Sequence, residues 1–169
     1  MILVIGGAAS GKSAYAQQLI RDRGGERPTY LATMEKESTS AKARIRRHVA
    51  NREGMGFITL EQPRNLDEVI DGCTDTVLVE DIGNLMANEM FKADGRVIKA
   101  ADKVFGDLMK LAGSRSFTVL VTNDVFSAGM PMDAMTKEYM RQLGDLNRRL
   151  ACKADEVWEV LCAIPVRRK

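Results

Sequence analysis

Short unbroken apolar runs alternate along this chain with longer stretches in which apolar residues recur every three or four positions. Ile2 to Ile5 is β-branched and followed at once by Gly6 and Gly7, which predicts a buried strand entering a tight turn. Ser13 to Arg23 then sets Ala14, Ala16, Leu19 and Ile20 at helical spacing and stops at Gly24-Gly25. Thr29 to Thr33 (TYLAT) reads as a second strand. Ser40 to Asn51 reads as a polar helix with Ser40 as N-cap, Phe57 to Leu60 as a short strand, and Leu66 to Ile70 as a helix after Pro63.

Two later runs share a design. Thr76 to Val79 (TVLV) ends in Glu80-Asp81, and Phe117 to Val121 (FTVLV) ends in Thr122-Asn123-Asp124. Strands of a parallel α/β sheet are buried on both faces and read as continuous apolar runs, and the polar residues at their C-terminal ends line the ligand crevice. Between them, Asn84 to Met90 and Val97 to Leu111 have helical periodicity broken at Asp94-Gly95. A helix is predicted from Thr136 to Ala151, then a strand from Glu156 to Leu161 and an edge strand at Ile164 to Val166 interrupted by Pro165. Alternation of this kind over residues 1–169 predicts one α/β domain, a mainly parallel sheet with helices on both faces and an antiparallel C-terminal edge strand.

Composition narrows the partners. Charged residues are 28% of the 169, hydrophobic ones 45%, and the net charge is only +2, so no electrostatic case for nucleic acid arises. No run approaches the ~20 apolar residues that span a bilayer, and MILVIGG lacks a basic leader and a cleavage site, so a cytoplasmic protein is expected. Cys73, Cys152 and Cys162 are odd in number and have no metal-ligand spacing, as expected of reduced thiols. Lys42, Arg44, Arg46, Arg47 and Arg52 cluster among Glu35, Glu37 and Glu53; a solvated helix face and a site for a polyanionic nucleotide are both open readings.

The chemistry is concentrated at the N-terminus. Gly6-Gly7-Ala8-Ala9-Ser10-Gly11-Lys12-Ser13 fits G-x-x-x-x-G-K-[ST] and lies where that loop functions, between a buried strand and a helix. Its glycines let backbone N–H groups turn inward as an anion nest, and the helix adds its positive end. Lys12 is expected on the β and γ phosphates and the Ser13 hydroxyl on Mg²⁺. The acidic partner of such a loop sits at the end of another buried strand, which makes Glu80 and Asp81 the candidates. These features place the fold among P-loop NTPases of the RecA-like kind.

The order of further segments resembles one family, the bifunctional adenosylcobinamide kinase and adenosylcobinamide-phosphate guanylyltransferase of cobalamin assembly. MILVIGGAASGKS is similar to its opening strand and loop, TYLAT to its second strand and ARIRRH to its histidine segment; FITLEQP, VLVED, VTNDV and GDLNRRLACKADEVWEVLCAIPV follow in order. The resemblance implies phosphorylation of adenosylcobinamide by a nucleoside triphosphate, then transfer of GMP from GTP through a guanylylated histidine. His48, the only histidine, falls at that position. A neutral imidazole suits attack on an α-phosphate, and the phosphoramidate formed is labile enough to pass GMP on.

By the same matching, Ala32, Thr33, Met34, Asn51, Arg52, Glu61 and Glu80 are implied nucleotide-contacting residues, with Ser13 and Glu80 on Mg²⁺. A corrinoid acceptor and a homo-oligomer are implied partners, and ATP and GTP both stay open as phosphate donor. The chain departs from the pattern at Ala9, where the family loop usually carries arginine, and at FSAGMPMDAM after VTNDV, where a glycine-rich turn is usual. A P-loop kinase without the guanylyl step and a nucleotide-dependent regulatory module are the alternatives at this stage.

Overall fold

The computed structural model describes residues 1–35, 54–125 and 133–169. Seven strands in these residues form one sheet: β1 (Ile2–Gly6), β2 (Thr29–Ala32), β3 (Ile58–Glu61), β4 (Thr76–Glu80), β5 (Phe117–Asn123), β6 (Glu156–Leu161) and β7 (Ile164–Arg167). Their spatial order is β3-β2-β4-β5-β1-β6-β7. Every neighbouring pair is parallel except β6 with β7. The helices are α1 (Lys12–Arg23), α2 (Ile82–Met90), α3 (Ala101–Ser114) and α4 (Ala134–Lys153), with a 3₁₀ helix at Leu66–Gly72.

Side-chain alternation along the strands builds two cores. Ile2, Val4, Leu78, Val119, Val121 and Val160 point to one face, where Ala16, Leu19 and Ile20 of α1 cover them. Leu3, Leu31, Val77, Val79 and Leu120 point to the other, under Leu85 and Met86 of α2, Leu108 and Leu111 of α3, and Leu143, Leu146 and Leu150 of α4. Each such leucine or valine is worth roughly 1.5–3 kcal/mol of burial. Continuous apolar strands and one-sided helices follow from this double cover.

Several helices differ from the sequence expectation in extent or type. The helix expected from Val97 begins at Ala101. Val97 forms an antiparallel bridge with Phe91, and the Ile98 amide donates to the Met90 carbonyl at 3.0 Å, which holds this segment extended. The buried Gln142 of α4 then accepts from the amides of Ala100 and Ala101 at 2.8 and 3.3 Å, so a tertiary contact satisfies the donors where α3 begins. Leu66–Gly72 is tighter than the α-helix expected. The C-terminal helix runs from Ala134 to Lys153, longer at both ends than expected, because Asp133 accepts from the Thr136 amide and caps it.

The edge strand expected at the C-terminus is β7, antiparallel and outermost. Pro165 fits within it because it faces Val160 in the pair next to the turn-closing Leu161 and Ile164, where an antiparallel ladder makes no hydrogen bond. The helix expected at Ser40 to Asn51 lies outside the described residues. Among the described residues, no helix is long and apolar enough to cross a membrane.

Candidate functional site

Because β1 to β5 run parallel, their C-terminal ends meet along one edge of the sheet, bringing together Gly6, Ala32, Glu61, Glu80 and Asn123. Gly6 to Ser13 leaves β1 there and becomes α1. Ala9 and Gly11 hold φ of 57° and 92°, the left-handed values that turn successive peptides inward in an anion nest. A side chain at Gly6 is excluded, since a Cβ there would stand 2.8 Å from the Val160 carbonyl. The first helical bond runs from the Tyr15 amide to the Gly11 carbonyl at 3.0 Å, so the start of α1 closes directly on the loop.

Lys12 is buried, and its ammonium donates to the Gly7 carbonyl at 3.1 Å, folding the side chain back over the loop. Ser13 donates its hydroxyl to Oε1 of Glu80. Glu80, the last residue of β4, is 7% exposed, and its carboxyl is pushed up from 4.5 to about 7, chiefly by burial. The Ser13 hydrogen bond and the charge of Lys12 pull in the opposite direction, while Asp81 adds to the rise. A buried carboxyl, a hydroxyl and an ammonium therefore converge beside a nest of amides. This arrangement suits a polyanion and a hard cation.

The strand pattern offers both Glu80 and Asp81 and the resemblance favours Glu80; in the structure the two carboxyls have different partners. Asp81 caps α2: Oδ1 accepts from the Asn84 amide at 2.6 Å and Oδ2 from the Asn84 side chain at 3.0 Å. The peptide joining Glu80 to Asp81 is cis.

Thr33, beyond the end of β2, is fully buried. Its amide donates to the Glu80 carbonyl at 3.1 Å and its hydroxyl to the Asp81 carbonyl at 2.7 Å. It braces the acidic strand end. Ala32 pairs with Glu80 on one side and with the exposed Glu61 on the other, and Met34 is half-buried just beyond. Ala8 is exposed, while Gly7 and Ser10 are partly covered. His48, Asn51 and Arg52 lie outside the described residues, as do Lys42, Arg44, Arg46 and Arg47.

The structure adds residues that periodicity did not single out. Asn88 of α2 donates to the carbonyls of Thr33 and Pro63 at 2.8 and 3.0 Å, clasping the ends of β2 and β3; its only sequence signal is that of a polar residue, beside Asn84 and Glu89, in a largely apolar helix. Tyr139 donates to the Gly83 carbonyl at 3.1 Å, and burial with the nearby Asp81 charge pushes its phenol up to about 12, so it stays a donor. The turn between β6 and β7 touches the phosphate loop, with the Ala163 amide donating to the Ser10 carbonyl at 2.7 Å. Nothing in Cys162-Ala163 announces that contact.

Comparison with known proteins accords with this geometry. Residues 2–168 match the family model described as cobinamide kinase / cobinamide phosphate guanyltransferase. The bifunctional adenosylcobalamin biosynthesis protein CobU of Salmonella typhimurium is 33% identical, over 100% of this chain and 99% of that protein. Its namesake in Escherichia coli is 31% identical over the same shares. Among solved structures, a DnaB-like replicative helicase superposes with a TM-score of 0.53 at 11% identity, over 94% of this chain and 46% of that one, a likeness of fold alone.

Proposed function

Because this chain belongs to the cobinamide kinase / cobinamide phosphate guanyltransferase family, we infer that it is a bifunctional enzyme of cobalamin biosynthesis, phosphorylating adenosylcobinamide and guanylylating the product. The observation that carries the reading is the convergence of Lys12, Ser13 and Glu80 at the end of a nest-forming loop. Residues 1–169 act as one nucleotide-binding domain, with the corrinoid and the nucleoside triphosphates as substrates.

In the kinase step the loop amides of Gly6 to Ser13 hold the triphosphate. Lys12 swings from the Gly7 carbonyl to the β and γ phosphates, where its charge counts most in the transition state. Ser13 and Glu80 fit Mg²⁺, being a hydroxyl and a carboxylate already in contact. Phosphate oxygens and water would complete the ligand set of such a hard cation. Mg²⁺, when bound, neutralises charge developing on the phosphates. Ala32, Thr33, Met34 and Glu61 shape the nucleotide crevice from the ends of β2 and β3.

In the guanylyl step His48 attacks the α-phosphate of GTP, a P–N bond forms as the bond to pyrophosphate breaks, and the corrinoid phosphate then takes GMP from the histidine. Asn51 and Arg52 are assigned to the GTP that reacts there. We extend the proposal to a homo-oligomeric, cytoplasmic enzyme.

Incubation with α-labelled GTP and Mg²⁺ tests the covalent step. Acid-labile label on the wild-type protein, absent from His48→Ala, is expected. Label persisting in that variant, or no label on a protein that turns over, would overturn it, and full turnover by His48→Asn would leave only a kinase.

A further inference from the structure

The turn joining β6 to β7 has an unusual backbone for its sequence. Leu161 pairs with Ile164, so Cys162 and Ala163 are its two central residues, with φ of 49° and 64°. Positive φ at both positions is what a type I′ turn requires, and Asn-Gly or Asp-Gly normally supplies it because a Cβ is disfavoured there. Strained residues of this kind persist where surrounding contacts over-determine them.

Those contacts are with the phosphate loop. The Ala163 amide donates to the Ser10 carbonyl at 2.7 Å. Ala163 also covers Gly11 so closely that a Cβ there would sit 3.0 Å from the Ala163 Cα. One residue before the turn-closing pair, the Val160 carbonyl stands against Gly6, at the opposite end of the loop. The β6–β7 hairpin thus grips the loop at Gly6, Ser10 and Gly11, although it lies about 150 residues further along the chain.

We propose that the Cys162-Ala163 turn is a positioning element of the phosphate loop, holding the Ser10 carbonyl so that the loop amides are aimed before nucleotide arrives. A loop with three glycines otherwise loses conformational freedom on binding, and pre-organisation removes that cost from the affinity. The effect falls on nucleotide binding rather than on the chemical step. For its functional part the inference rests on the nucleotide reading given above.

Two variants of the full chain test it. Inserting two glycines between Cys162 and Ala163 lengthens the turn without altering the paired strands and releases Ser10. Replacing the dipeptide by Cys162→Asp with Ala163→Gly keeps the turn type and its amide. For the insertion, amide hydrogen exchange across residues 6–13 of the nucleotide-free protein is expected to quicken about tenfold, and KM for the nucleotide to rise by a similar factor, with kcat within about twofold. The double substitution should match wild type in both. Wild-type exchange and KM in the insertion, or equal impairment of the double substitution, would overturn the proposal. Failure of the wild-type protein to bind GTP would instead sink the nucleotide reading, and the exchange comparison would still decide whether the turn holds the loop.

Discussion

The hydroxyl of Ser13, in the first turn of α1, donates to the carboxylate of Glu80 at the end of β4, linking residues 67 positions apart in the chain. The bond joins the phosphate loop to a strand end that carries a buried carboxyl, so the charge on Glu80 bears both on stability and on the proposed Mg²⁺ site.

Burial raises the Glu80 carboxyl from 4.5 to about 7, so between those values the folded chain binds more protons than the unfolded one. Stability from this group therefore falls as pH rises through that window and is lowest above it. Glu80→Gln removes the buried charge and keeps an acceptor for Ser13. It should stabilise the metal-free protein at pH 8 by on the order of 1–3 kcal/mol, while leaving stability at pH 4.5 nearly unchanged. Thermal unfolding at the two pH values checks this, and destabilisation of the variant at pH 8 would contradict it.

The same carboxyl must be ionised to hold Mg²⁺. Apparent Mg²⁺ affinity of the nucleotide complex should weaken about fivefold from pH 7 to pH 6, the carboxyl being raised to about 7. Calorimetric titration of Mg²⁺ into the GTP-loaded protein would show the slope, and Glu80→Gln should flatten it. A slope retained in the variant would assign the proton elsewhere.

Lys12 is buried against the loop it serves, with its ammonium on the Gly7 carbonyl. Lys12→Ala should lower phosphoryl transfer about a thousandfold or more, because this contact acts on the charged transition state. Single-turnover kinetics with wild-type-like circular dichroism is the relevant measurement. Activity within about twofold of wild type would remove Lys12 from the mechanism.

Gln142 makes a prediction remote from the phosphates. Gln142→Leu strands the buried amide of Ala100 and the half-buried one of Ala101 and should cost about 2 kcal/mol in denaturant unfolding near pH 4, whereas Gln142→Glu, whose protonated acid keeps the acceptor and can still donate to Glu138, should cost less at that pH. Equal losses would mean that packing, not hydrogen bonding, is what Gln142 contributes.

The strands were legible because parallel strands buried on both faces must be continuously apolar, and TVLV and FTVLV leave little else to choose. The phosphate loop was legible because its chemistry demands particular residues at fixed spacing. Helix starts were less so: the periodicity at Val97 to Ala100 resembles that of α3, and only Gln142, 42 residues from Ala100, decides where the helix begins. The strand pattern alone left Glu80 and Asp81 side by side, and the resemblance pointed to Glu80; what neither conveyed is that Asp81 turns back to cap α2. The bond from the Thr33 hydroxyl to the Asp81 carbonyl was also beyond the sequence, because it appears only when β2 and β4 lie side by side.

β5 lies between the strand that carries the phosphate loop and the strand that carries Glu80, and Val121 faces Val4 on one side and Glu80 on the other. Two inter-strand steps of about 4.8 Å therefore separate the two halves of the site. That span is a ruler made of backbone, which no side-chain replacement in the surrounding loops can lengthen or shorten. Changes of sequence outside the strands would leave the spacing between β1 and β4 as it is. The donor side of the site is in this sense fixed by the order of the strands, before any side chain is chosen.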